Sequence, residues 1–132
     1  LPTWALIAPT PEVLELTGLA QEADTVAGFL SHGQTQWLEL GLLVVRSPRV
    51  ILLDEPTAGM TQAETLKTAR IINDLKGSHT LLVVEHDMAF VREIATRITV
   101  LHLGRVLAEG TVAEIETNAD VRAAYLGTKG IG

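Results

Sequence analysis

Val50-Ile51-Leu52-Leu53-Asp54-Glu55-Pro56 decides the fold of this chain. An unbroken apolar run passes directly into two adjacent carboxylates and a proline. A short run of this kind predicts a strand buried on both faces of a parallel sheet. Open α/β sheets present their ligands at the carboxyl ends of such strands. Asp54 and Glu55 therefore stand where phosphate chemistry needs a hard oxygen ligand for a metal and a general base.

The residues downstream repeat the pattern. Thr61 and Glu64 have capping-box spacing and open a helix that carries Ala63, Leu66, Ala69, Ile72 and Leu75 on one face, with Gly77 closing it. Thr80 to Val84 is a second buried strand, ending at Glu85-His86-Asp87. A helix over about 88–96 follows, then a hairpin of Ile98–Leu103 and Val106–Glu109 around Gly104-Arg105. Thr111 caps a small helix, Asp120 to Leu126 forms a last one, and 127–132 reads as a frayed tail.

Upstream, Thr10-Pro11-Glu12 reads as N-cap, first-turn proline and first-turn acid of a short helix that Gly18 ends. Residues 19–30 read as a second short helix. Ser31 and Gln34 form another capping box, opening a helix to about Arg46 that is apolar nearly all round and so buried on most sides. Ser47-Pro48 ends it. Helices first, then strand, helix, strand, helix and hairpin, is an α/β order.

Composition narrows the function. The chain has 132 residues, enough for one core, and is 47% hydrophobic, which excludes a disordered chain. Its formal net charge of -6 argues against a broad electropositive surface for nucleic acid. There are no cysteines, hence no disulfides and no thiolate metal sites. No apolar run approaches the ~20 residues that span a bilayer. Leu1 to Thr10 has no basic stretch and carries two prolines, a poor pattern for a signal peptide.

Three features now align: a helix mouth at Ser31-His32-Gly33-Gln34, a strand ending in Asp54-Glu55, and a strand ending at His86. In this order they resemble the nucleotide-binding domain of ATP-binding cassette (ABC) transporters over about residues 12–126. Leu30 to Gln34 resembles the signature motif, usually Leu-Ser-Gly-Gly-Gln, and residues 50–55 resemble the Walker B strand with its catalytic glutamate. Ala58-Gly59-Met60-Thr61 stands at the D-loop position, and Val84 to Asp87 resembles the H-loop. His32, with Gln36-Trp37-Leu38-Glu39 and Glu85-His86-Asp87-Met88, is most similar to urea-type subunits near the branched-chain amino acid importers.

The resemblance implies a P-loop NTPase-like fold with a mostly parallel sheet and flanking helices. It implies a partial helical subdomain over 1–47 and the C-terminal part of a RecA-like core over 48–132. Glu55 would be the base, His86 would position the water at the γ-phosphate, and Asp54 would hold Mg²⁺. Ser31, His32, Gly33 and Gln34 would close on ATP held by a second ABC ATPase subunit. The physical chemistry of each residue agrees. Free N–H groups at a helix start attract anions, glycine admits close approach, and a carboxylate can polarise water. His79 and His102 match no motif and are read as surface residues or hairpin packing; His32 is expected to take no part in chemistry.

Departures from the family pattern carry equal weight. Thr61 stands where the D-loop ends in aspartate, and Trp37 where an arginine is common. No Gly-Lys pair occurs, so the Gly-x-x-x-x-Gly-Lys-Ser/Thr loop that cradles the β- and γ-phosphates is missing. The resemblance then implies the C-terminal portion of the domain, with little ATP affinity or turnover by itself. It also implies a sheet open where the P-loop strand would lie, between the His86 strand and that near 98–103. Such edges recruit strands, so dimerisation, swapping or internal repair is expected. Residues 1–11 could substitute there, although prolines suit a central strand poorly.

The functional expectation is the ATP-hydrolysing subunit of an importer, cytoplasmic and attached to the inner membrane through transmembrane permease subunits, with no span of its own and no nucleic acid partner. A non-enzymatic module docking on an intact ABC ATPase is the alternative. A DNA-repair or ribosome-associated cassette is disfavoured by the acidic balance.

Overall fold

The computed structural model describes residues 10–126. Contacts divide the chain into two compact units, 1–90 and 91–132.

In the first unit, α1 (Pro11–Thr17) starts at Thr10, whose side chain accepts from the Val13 N–H, and stops at Gly18 in the left-handed region. Residues 19–30 do not form the expected helix; they make two 3₁₀ turns, Ala20–Glu22 and Ala27–Phe29. The segment has too few core anchors to pin a helix. Leu19 is buried, whereas Val26 and Phe29 stand exposed. The next helix, α2 (His32–Val45), opens on the expected capping box of Ser31 and Gln34. It buries one face rather than most sides, through Gly33, Trp37, Leu40 and Gly41, and Leu43 remains exposed.

The strand β1 (Val50–Asp54) connects through α3 (Gln62–Leu75) to β2 (Thr80–Val84). The two strands pair in parallel, with Val50 beside Thr80 and Asp54 beside Val84. Thr61 and Glu64 complete the α3 capping box, and Lys76 rather than Gly77 is the C-cap. The core face of α3 is rotated from the expected one. Thr68, Ala69, Ile71, Ile72 and Leu75 are buried, and Ala63 and Leu66 are exposed. Thr68 is drawn inward by hydrogen bonds, which an apolar count misses. Its hydroxyl reaches the Glu64 carbonyl at 2.8 Å and receives the Trp37 indole N–H at 2.9 Å. The Lys67 ammonium lies 3.8 Å from the centre of the Trp37 ring.

The core joins Leu19, Trp37, Leu40, Ile51, Ile71 and Leu75, with Leu53 and Leu81 packed against it. Strand alternation therefore sends Ile51, Leu53 and Leu81 to the helices and the intervening residues to the opposite side. That opposite side is bare: Ile51 is 2% exposed, but Leu52 is 68% and Leu82 is 60% exposed. Burial on both faces, expected from the apolar run, is thus corrected to burial on one. The residues have the composition of a doubly covered strand, and among the described residues nothing covers the second face.

The helix α4 (Met88–Ile94) runs across the junction of the two units and is shorter than expected. In the second unit, β3 (Ile98–His102) and β4 (Arg105–Gly110) form an antiparallel hairpin. Its turn is Leu103-Gly104, not Gly104-Arg105, because His102 pairs with Arg105. Both turn residues have positive φ, 49° and 75°, which matches the twist of the flanking strands. A bulge follows Val100. The chain then continues through α5 (Val112–Thr117), capped by Thr111, and α6 (Ala119–Val121), which passes into a wide turn over Arg122–Leu126. His102 packs edge-on against Tyr125, whose hydroxyl donates to the Leu101 carbonyl.

Among the described residues β2 pairs only with β1, and β3 only with β4. The repair of the sheet by its own strands, expected above, is not seen among the described residues. The tail and the segment 1–9, both assigned roles above, lie outside the described residues. No helix among the described residues is long and apolar enough to cross a membrane.

Candidate functional site

Parallel pairing sets the carboxyl ends of β1 and β2 side by side, and the candidate catalytic pair forms there. His86 Nδ1 lies 3.3 Å from Glu55 Oε1. Both side chains are accessible, His86 at 81% and Glu55 at 53% exposure. The Glu55 backbone has φ 46°, a conformation that costs a non-glycine residue about 1 kcal/mol or more. Its N–H is tied to the Val84 carbonyl at 2.9 Å, so β2 fixes the point at which the chain turns out of β1.

Asp54, by strand parity, belongs to the bare face with Val50 and Leu52. It lines an open cleft of about 240 Å³ together with Gln36, Glu39, Leu43, Pro56 and Met60. No group of three or more His, Cys, Asp or Glu side chains that could hold a metal gathers among the described residues. Magnesium in phosphate sites needs only one or two carboxylates beside water and phosphate oxygens, and the accessible Asp54 meets that requirement.

Sequence reasoning missed the part played by Glu85. Its side chain is 2% exposed. One oxygen accepts from the Thr57 N–H at 3.3 Å and the Thr57 hydroxyl at 2.7 Å; the other accepts from the His86 N–H at 3.2 Å. This carboxylate ties the loop after β1 to the loop after β2. The pattern gave no signal for it, because a glutamate just beyond a strand reads as solvated.

The signature and D-loop residues come together through contacts that reach far along the chain. Ser31 Oγ accepts from the Gln34 N–H at 3.2 Å, and the Gln34 carbonyl oxygen accepts from the Ser31 N–H at 2.9 Å. Gln34 Nε2 also donates to Glu22 at 3.2 Å. His32 Nε2 lies 2.9 Å from the carbonyl oxygen of Ala58. Glu64 crosses the mouth of α2: a Cβ at Gly33 would lie 2.7 Å from Glu64 Oε1, so glycine admits the carboxylate there. Gly59 has φ 74°, and Met60 approaches the Thr68 hydroxyl through its sulfur at 3.2 Å. Thr61 is the N-cap of α3, with Oγ1 accepting from the Glu64 N–H at 3.2 Å. His79, outside every motif, sits 2.6 Å from the Pro48 carbonyl.

The ABC transporter profile matches residues 9–58, and the profile described as branched-chain amino acid ATP-binding cassette transporter matches residues 105–130. The chain belongs to the ABC transporter ATP-binding family. It is 41% identical over 116 residues to the high-affinity branched-chain amino acid transport ATP-binding protein LivG of Salmonella typhimurium, covering 86% of this chain and 46% of that protein. The corresponding Pseudomonas aeruginosa protein, BraF, is 40% identical over the same 86% of this chain and 46% of its own. The solved ATP-binding cassette MJ1267 of an ABC transporter, in its ADP conformation, superposes with TM-score 0.75 at 26% identity, over 88% of this chain and 48% of that one. The ABC ATPase fold expected from the resemblance is thus the observed one. The ABC chain described here spans about half the length of the curated relatives it matches.

Proposed function

We propose that this ABC chain forms the hydrolytic edge and the signature face of an importer's ATP-binding subunit, of the branched-chain amino acid or urea type. The observation that carries the reading is the approach of His86 Nδ1 to Glu55 Oε1, 3.3 Å apart at the adjoining ends of β1 and β2. Glu55 takes the proton of the attacking water. His86 orients that water and donates toward the γ-phosphate. Asp54 would hold Mg²⁺, directly or through water. When bound, Mg·ATP supplies the γ-phosphoryl group, and its metal offsets the negative charge on the phosphate oxygens.

The signature residues Ser31 to Gln34 serve a different nucleotide, one held by a second ABC ATPase subunit. Their helix start suits an anion, and Glu64, whose carboxylate lies beside Gly33, would have to withdraw before one could approach the backbone there. Permease subunits would connect the pair to the membrane on its cytoplasmic side. The urea label rests on His32 and the residues that follow it, and the branched-chain label on the relatives.

The ordered signature face, with its capping box and the His32–Ala58 contact, also fits a second reading. In that reading the chain is a docking module that meets an intact ABC ATPase through its signature face and regulates it. Calorimetry tests the expected weak nucleotide binding, and a mixing experiment separates the two readings. Titration calorimetry on the 132-residue chain is expected to give Mg·ATP binding weaker than micromolar, and micromolar affinity would refute the expectation of little ATP affinity by itself. Mixing with an intact homologous subunit should stimulate hydrolysis if the chain completes a half-site; dominant inhibition supports the docking module instead.

A further inference from the structure

His32 departs from the usual glycine of the signature, and the reading above gives it no chemistry. The structure gives it a contact 26 residues away, with the Ala58 carbonyl at 2.9 Å. A carbonyl oxygen only accepts, so Nε2 must carry the hydrogen and Nδ1 is left to solvent. The imidazole also packs against the next peptide. A Cβ on Gly59 would lie 3.3 Å from Nε2 and 3.5 Å from Cδ2, at a backbone φ of 74° that side chains rarely adopt. At the far end of the same segment Glu64 lies beside Gly33.

The contact continues inward. The Ala58 N–H donates to the Glu55 carbonyl at 3.1 Å, and the Met60 N–H donates to the Thr57 carbonyl at 3.1 Å. Glu55 in turn meets His86. We propose that His32 is a positioning residue: it latches the signature helix to the D-loop turn and so holds the backbone from which Glu55 projects. The latch itself stands on geometry alone. Its consequence for hydrolysis rests on the proposed role of Glu55. A glycine at position 32 could not make the contact, so the substitution at this signature position gives the chain a link within one subunit between the element facing the partner's nucleotide and the edge facing its own.

The test uses the chain and the assembled ATPase in turn. In the 132-residue chain, His32→Ala should raise amide exchange at Ala58 and Met60 by roughly three- to ten-fold, the range expected for loss of one hydrogen bond, without a matching rise in the β1–β2 strands. His32→Gln, whose amide N–H can reach the same carbonyl, should restore protection. Unchanged exchange in His32→Ala, or failure of His32→Gln to restore it, overturns the latch. In the assembled ATPase, His32→Ala should lower kcat by a similar factor, and His32→Gln should recover it. An unchanged kcat overturns the functional half of the proposal. A wild-type assembly with no hydrolysis refutes the enzymatic reading instead and leaves the exchange result standing.

Discussion

Thr57 is bound twice by one oxygen of Glu85, through its hydroxyl at 2.7 Å and its N–H at 3.3 Å. The acceptor is a buried carboxylate and the donors belong to the loop that follows the acidic pair. Replacing Glu85 by alanine leaves the Thr57 hydroxyl and N–H without that partner. Hydrogen bonds to charged groups contribute about 1.5–3 kcal/mol, so Glu85→Ala should destabilise the chain by about that much. Urea unfolding measures it. Thr57→Val, which removes only the hydroxyl, should cost less.

The two faces of β1 give a paired prediction. Ile51 belongs to the core, whereas Leu52 stands on the bare side. Ile51→Ala should cost about 2–5 kcal/mol through the cavity it leaves. Leu52→Thr, one residue away, should change stability by no more than about 0.5 kcal/mol. Equal losses in urea unfolding would mean that the strand is covered on both sides.

Glu12 gives the acid dependence of α1. Its pKa lies below the ordinary carboxylate value, first because of a hydrogen bond with the backbone and next because of the Thr10 side chain. A carboxylate depressed in the folded state stabilises that state above its unfolded pKa, and the contribution is lost as pH falls through the folded value. Carbon-13 titration should place the Glu12 midpoint below that of an ordinary glutamate. Thr10→Ala should move it upward without restoring it fully. The fully exposed position of Glu12 makes this a marker of helix capping rather than a source of global stability.

Legibility followed the range of the signal. The caps at Thr10, Ser31, Thr61 and Thr111 are local devices, and each starts a helix where the sequence places it. Both parallel strands were readable from short apolar runs, and the residues at their ends meet as Glu55 and His86. What a run cannot encode is whether its second face has a cover; Leu52 and Ile51 have the same chemistry and opposite exposure. The inward turn of Thr68 depends on Trp37, 31 residues away, so helical periodicity alone chose a face that is rotated. Glu85 and the latch at His32 were invisible for the same reason: a polar side chain shows its partner only after the fold has delivered it.

The most direct measurement is Mg·ATP binding and single-turnover hydrolysis in the assembled ATPase carrying Glu55→Gln. Loss of a general base typically costs 10² to 10⁴ in rate, so turnover should fall by at least about a hundred-fold while nucleotide affinity is retained. Undiminished turnover would contradict the assignment of Glu55 and, with it, the catalytic reading of the Glu55–His86 pair.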